Sequence, residues 1–329
     1  MPKLFVTSMF PDDHAVAFGT FVKAHFDELE GFKLIYPGNI LRNKSKFRFY
    51  VALHLMFLRN LRIGTQVILH YPLYFPMLYF LCFITRSEII TVIHGGELMR
   101  RPEDIKIQKM FKSLSQTIHL TLSKYVFVPT NYVKDRYYAG SDKVQVWFSG
   151  GVEQSISLTN IKQSGRDIDI LFVGRVHPVK GIDQVDDIIN FNGSQNIKKT
   201  ICVVGPGFSE YFSSYNDDFL EVYDSLEPKS VRELMHRSKL VVVPSLNESF
   251  CLVAVEAYLS GCNLLLNKLP ALFEVFMGFP SVMFEERGYE FTKSALALKP
   301  ADISSSDQQN LYDKVSRKKM IKRFNQCLL

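Results

Sequence analysis

Short apolar runs rich in Val, Ile and Phe recur along the chain, each closing on turn residues and giving way to helically spaced apolar positions. The first half carries six: LFVTSMF (4–10), FKLIYPG (32–38), QVILHYP (66–72), EIITVIHGG (88–96), YVFVPT (125–130) and KVQVWFSGG (143–151). After a polar stretch the pattern restarts with IDILFVGR (168–175), KTICVVGPG (199–207), FLEVYDSL (219–226), KLVVVPS (239–245) and CNLLLNK (262–268). Runs apolar on both faces suit strands buried within parallel sheets, and their alternation with helices suits βαβ units. The pattern predicts an α/β chain of two Rossmann-like domains whose parallel sheets face a central cleft. The N-terminal domain spans 1–152, a linker 153–167 and the C-terminal domain 168–303. A terminal basic helix over 304–329 is free to pack back on the N-terminal domain.

Ligands of open parallel sheets bind beyond the carboxyl ends of the strands. Gly19, His94, Gly174, Arg175, Gly205 and Glu248 all follow apolar runs and are the first candidates. In LFVGRVHPVKG (171–181), Arg175 and Lys180 stand past a strand end and before a helix start, a setting that suits a diphosphate. Glu248 and Glu256 have seven residues between them. That spacing predicts two helical turns, with both acids on one side and Leu252, Val253 and Val255 packing below. A carboxylate partly buried in a helix needs hydrogen-bond donors, which the hydroxyls of a sugar and a ribose would supply.

Taken together, ILFVGRVHPVKGID (170–183), VVGPG (203–207), VVVPSLNESFCLVAVEAYLSG (241–261) and LPALFEV (269–275) resemble the C-terminal half of the retaining glycosyltransferases of family four, formerly group 1, which have the GT-B fold. AVAFGTFVKAHFDEL (15–29), TVIHGGE (91–97), VPTNYVKDRYY (128–138) and SGGVE (149–153) match the N-terminal half more weakly. The resemblance implies that Arg175 and Lys180 neutralise a donor diphosphate in place of a metal ion. It implies that Glu248 holds hydroxyls of the donor sugar, with the backbone N–H groups of Ser249, Phe250, Cys251 and Leu252 nearby, and that Glu256 takes the ribose. His94 would sit over the donor sugar, Gly19, Gly174 and Gly205 would admit backbone close to the ligand, and the loop holding Leu226 would frame the base. No cofactor is implied beyond the donor itself, with UDP or GDP foremost. The family commonly has glycine where this chain has Cys251, and a glycine pair where it has Phe18-Gly19.

Composition narrows the alternatives. At 329 residues and 47% hydrophobic, the chain can bury two cores. A net charge of +6 suits anionic ligands or surfaces without requiring nucleic acid. Five scattered cysteines without a CxxC pair fit reduced, buried thiols and a cytoplasmic setting. The first ten residues read as a strand and not as a signal peptide. The apolar stretch 67–84 is interrupted by His70, Pro72 and Pro76, and reads as strand, loop and helix instead of a membrane span. Asp167 and Asp169 form a DxD, but they precede a strand, where a metal-binding pair would follow one. VVGPGFSEYF has Glu210 where a dinucleotide fingerprint needs its third glycine. Two other readings stay open: an inactive nucleotide-sugar-binding scaffold, and a nucleotide-sugar epimerase of the same fold. The segment 41–62 mixes Arg42, Lys44, Lys46, Arg48, Arg59 and Arg62 with aromatic residues. It reads either as a solvated helix or as one lying at the inner face of an anionic membrane, where a glycan or lipid-linked acceptor for surface polysaccharide or lipopolysaccharide would be met.

Overall fold

The structure is a computed structural model describing residues 1–12, 19–72, 76–95, 98, 105–152, 162–196, 198–215 and 217–328. Phe18 and most of the expected linker, 153–161, lie outside the described residues. The chain divides into two compact units, Met1–Gly150 with Met320–Leu329, and Gly151–Lys319.

In the first unit β1 (Lys3–Val6), β2 (Lys33–Ile35), β3 (Gln66–His70), β4 (Glu88–Val92), β5 (Tyr125–Val128) and β6 (Val144–Val146) form one parallel sheet in the order β2-β1-β3-β4-β5-β6. The chain steps one way from β1 and then the other, so the winding reverses between β1 and β3. Helices α1 (Thr20–Asp27), α2 (Asn39–Lys44), α3 (Lys46–Asn60), α4 (Pro76–Ile84), α5 (Lys106–Leu122) and α6 (Asn131–Tyr138) connect the strands. Alternation along the strands turns Leu4, Val6, Val67, Leu69 and Ile89 to one face. There they meet Phe49, Leu53 and Phe57 of α3 and Leu78, Tyr79 and Cys82 of α4, with Ile118 and Leu122 of α5 alongside. Ser45 starts α3 by accepting from the Arg48 N–H at 3.3 Å. The stretch 67–84 is strand and helix, and among the described residues no helix is long and apolar enough to cross a membrane.

The second unit repeats the plan. β7 (Ile168–Val173), β8 (Ile201–Val204), β9 (Leu220–Tyr223), β10 (Ser238–Val243), β11 (Asn263–Asn267) and β12 (Val282–Glu285) form a parallel sheet in the order β12-β11-β10-β7-β8-β9. The winding reverses between β7 and β10. Helices α7 (Ile182–Gly193), α8 (Phe208–Tyr211), α9 (Pro228–Arg237), α10 (Leu252–Leu259), α11 (Pro270–Phe276) and α12 (Tyr289–Ala297) cover it. The buried side chain of Arg166 fastens the start of this unit, donating to the carbonyls of Met235 at 2.9 Å, Ser238 at 2.6 Å and Ser260 at 2.7 Å.

Two features differ from the pattern-based expectation. β12 is not among the expected strands: VMFE is an edge strand of largely half-buried residues whose apolar run is only three residues long before Glu285 and Glu286. The terminal segment is two helices, α13 (Ser305–Val315) and α14 (Arg317–Leu328), where one is expected. The break at Ser316 is held by Val152, whose N–H donates to Val315 at 3.0 Å and whose carbonyl accepts from Arg317 at 2.8 Å. In the first unit Phe324 of α14 packs against His25 and Phe127, each with ring centroids 4.4 Å away.

Candidate functional site

The carboxyl ends of β7 and β10 lie side by side at the winding reversal of the second unit. After Gly174 and Arg175, the β7 chain makes a 3₁₀ turn over Pro178–Lys180, started by His177, whose Nδ1 accepts from the Val179 N–H at 3.1 Å. Gly181 then takes a left-handed φ of 73°. A Cβ there would lie 2.2 Å from the Pro244 carbonyl oxygen, so only glycine lets the two loops touch. The Leu246 N–H donates to the Val179 carbonyl at 2.8 Å and ties them together.

This contact brings Lys180 Nζ within 2.7 Å of Glu248 Oε1. The Ser245 hydroxyl donates to the same oxygen at 2.8 Å. Burial is the largest single influence on the Lys180 pKa and depresses it, and Arg175 nearby lowers it further, but the Glu248 charge, Cys251 and the hydrogen bond to Glu248 together outweigh both, so the net shift is upward. The ammonium therefore stays charged at neutral pH. The exposed Arg175 stands close enough to Lys180 to act on its charge. A pair of neighbouring cations is what an incoming dianion requires.

The neighbouring loops approach through bare backbone. Gly174 donates to the Val204 carbonyl at 2.9 Å, and a Cβ on Gly205 would fall 1.3 Å from the Gly174 oxygen. Half-buried Leu226 follows β9 in the loop before α9. After β10, Ser249 and buried Phe250 lead to Cys251, which caps α10 with φ 70° and ψ 78°, a left-handed conformation rare for a residue with a Cβ. Burial first, and then the Glu248 charge, push the Cys251 thiol up to about 12, so it remains protonated. Glu256 is the fifth residue of α10 and half-buried. The expected two helical turns between the acids are corrected by this geometry: residues 248–251 are loop, and only Glu256 stands on the helix.

In the first unit His94 lies just past β4 and is not alone. Its Nε2 is 2.9 Å from His70 Nδ1, and His70 Nε2 is 3.0 Å from His25 Nδ1. A neutral imidazole carries one N–H, so His70 donates to one neighbour and accepts from the other, and the tautomers of all three rings are coupled. Burial drives the His94 pKa down to about 3. His70, wholly buried, is also held well below its ordinary value, by burial and then by His94 and His25. Tyr71 stacks on His94 at 4.3 Å. Gly19 caps α1 with φ 77°, where a Cβ would come within 3.0 Å of the Met9 backbone.

Ser245, His70 and His25 are site neighbours missed as candidates from sequence. Ser245 and His70 both stand at strand carboxyl ends, which is the signal that could have found them; His25 sits on α1 and carries none. Asp167 and Asp169 sit at the amino end of β7, paired with Arg237 at 2.6 Å and Lys239 at 2.7 Å.

Comparison with known proteins bears on the same region. A protein described as an uncharacterized 41.2 kDa protein in the cps region of Klebsiella pneumoniae is 32% identical over 108 residues, covering 33% of this chain and 30% of that protein. The chain thus matches under a third of that relative's length. Among solved structures, HepE of Anabaena in complex with UDP-glucose superposes with a TM-score of 0.73 at 14% identity, over 100% of this chain and 99% of that one. Sucrose-phosphate synthase of Thermosynechococcus elongatus superposes with a TM-score of 0.71 at 12% identity, over 99% of this chain and 98% of that one. TarM superposes with 0.65 at 15% identity, over 84% of this chain and 58% of that one. These likenesses establish the GT-B fold, with its two parallel six-stranded sheets. Residues 158–277, which hold Arg175, Lys180, Glu248 and Glu256, match the family described as Glycosyl transferases group 1.

Proposed function

We propose that this chain transfers a glycosyl group from a nucleoside-diphosphate sugar to a hydroxyl acceptor, with retention of anomeric configuration and without a metal ion. The observation that carries it is the Arg175, Lys180 and Glu248 arrangement at the β7–β10 winding reversal, within the segment matching group 1 glycosyl transferases. UDP is the first choice of nucleotide, supported by the UDP-glucose complex of HepE.

In this proposal Arg175 and Lys180 hold the diphosphate, while Gly174 and Gly205 offer backbone without obstructing side chains. Glu248 and the N–H groups of Ser249, Phe250, Cys251 and Leu252 hold the sugar, Glu256 the ribose, and the loop at Leu226 the base. His94 is assigned to the donor sugar, and Gly19 to leaving backbone open to the ligand. Donor binding exchanges the Lys180–Glu248 ion pair for two ligand contacts, ammonium to phosphate and carboxylate to hydroxyl. When the bond from the anomeric carbon to the diphosphate breaks, negative charge gathers on the phosphate beside both cations. The acceptor oxygen bonds to the same face of that carbon, and its proton passes to the departing phosphate oxygen. The Klebsiella cps-region relative supports a role in surface polysaccharide assembly. In this reading the reaction runs on the cytoplasmic side, onto a glycan or lipid-linked acceptor.

The test is thermal stabilisation of the purified protein by UDP, GDP, ADP, CMP, dTDP and NAD, in wild type and Lys180→Ala. A nucleotide at a hundred times its dissociation constant should stabilise by about 2.7 kcal/mol. Stabilisation by one nucleoside diphosphate, lost in the variant, is the expected result. Silence toward all of them overturns the proposal, as does a response to NAD alone.

A further inference from the structure

We infer that the outer face of α3, α4 and α5 is a docking surface for an anionic lipid membrane. All three helices bury their inner faces in one core over the same side of the first sheet, so their outer faces form a single layer. That layer is apolar where solvent would favour polar residues. On α3, Phe47, Val51, Leu55 and Leu58 recur at helical spacing and are exposed, Phe47 by 78%. On α4, Met77, Phe80 and Phe83 do the same, Phe83 by 68%. On α5, Ile107, Met110, Phe111 and Leu114 follow the spacing of one helical stripe and are exposed. Isolated exposed apolar side chains are ordinary, but exposed apolar stripes recurring on three helices that share one core mark a contact surface.

Charge decides what the surface contacts. Residues 31–87 contain no Asp or Glu, and neither does α5. Over the same elements Arg42 and Lys44 lie on α2, Lys46, Arg48 and Arg59 on α3, and Lys106, Lys109 and Lys112 on α5. A second copy of this chain would set these cations against their own kind. An anionic bilayer matches both components at once, since the aromatic and aliphatic side chains enter the interface while the cations meet headgroup phosphates. No helix among the described residues is long and apolar enough to span, so the surface lies on the membrane instead of crossing it. The sequence points to 41–62 alone; the fold adds α4 and α5.

The experiment is flotation of the full chain with vesicles of phosphatidylglycerol mixed with phosphatidylcholine, against phosphatidylcholine alone. It needs no nucleotide, so its failure is distinct from failure of the proposed transferase activity. Two variant sets are compared with wild type, each checked for an unchanged melting temperature: Phe80→Ser with Phe83→Ser, and Lys106→Gln, Lys109→Gln with Lys112→Gln. Wild type should float with anionic vesicles only, and the lysine set should bind roughly a hundredfold more weakly, at about fivefold per cation. The phenylalanine set should lose at least as much. Absence of flotation, equal binding to neutral vesicles, or binding untouched by both sets overturns the inference. So does sedimentation showing a dimer that the phenylalanine set dissociates, because the face would then be a self-association surface.

Discussion

Lys180 and Glu248 stand 68 residues apart in the chain and 2.7 Å apart in space, held by two loops that glycine alone allows to touch. The Glu248 side chain is only 10% exposed and the Lys180 side chain 30%. Truncating either to Ala strands its partner in a partly desolvated place, at about 1–3 kcal/mol. The double variant Lys180→Ala/Glu248→Ala should be less destabilised than the sum of the singles, by about 1–2 kcal/mol. Urea unfolding of the four proteins measures this, and strict additivity would show that the pair is not coupled. Each single variant should also slow glycosyl transfer at least roughly tenfold, the scale of one lost charged contact.

Cys251 offers a test of strain at the same site. Its φ of 70° places a Cβ in left-handed backbone, which costs about 1–2 kcal/mol. Cys251→Ala removes the thiol and keeps that strain, whereas Cys251→Gly removes both. At an ordinary helical position glycine is the less stable of the two by about 1 kcal/mol. Here the order should invert, with Cys251→Gly melting above Cys251→Ala. Equal or opposite melting temperatures would place the strain elsewhere.

Central strands were legible because buried parallel strands are apolar on both faces, and eleven of the twelve strands are marked by an apolar run; β12 escaped because its run is only Val282 to Phe284 before Glu285 and Glu286 close it. The Lys180 and Glu248 region was legible because both residues follow strand ends, yet their direct pairing was not. That contact depends on the Gly181–Pro244 approach, which has no periodic signal. The two-turn spacing read between Glu248 and Glu256 failed because the left-handed Cys251 delays the helix start. The histidine chain was hidden because His25, His70 and His94 come from three separate elements that only the packing of α1 onto the sheet brings together.

Gly205 and Gly278 separate steric blockage from left-handed strain. Both have positive φ, 152° and 88°. A Cβ on Gly278 meets nothing within 4 Å, so Gly278→Ala should cost only about 1 kcal/mol for its backbone. On Gly205 it would overlap the Gly174 oxygen, and the loops after β7 and β8 would have to separate. Gly205→Ala should therefore cost at least about 3 kcal/mol, on the scale of a severe core disruption, and should abolish nucleotide stabilisation. A melting temperature equal to that of Gly278→Ala would mean that those loops are not held together.

The buried histidines make the first unit sensitive to acid, and the single tryptophan reports it. His119, hydrogen-bonded to Ser115 at 2.8 Å and Tyr138 at 3.1 Å, is pushed down to about 3 by burial, and His70 is also held well below its ordinary value. In the unfolded chain both titrate near 6.5. Between that value and the folded pKa the unfolded state binds more protons, so stability is full above about pH 6.5 and falls as pH drops. Each histidine contributes about 1.4 kcal/mol per pH unit within that window, so with His94, also pushed down to about 3, the three together give a slope of about 4 kcal/mol per unit. Trp147, fully buried and 4.7 Å from His25 between ring centroids, lies in this unit, and its emission follows the unit's unfolding. Urea midpoints read from Trp147 should fall steeply from about pH 7 to about pH 5.5 and stay level from about pH 7 to about pH 8. Midpoints unchanged on the acid side would mean that these rings accept protons without unfolding, and hence that the burial holding them neutral is relieved in solution.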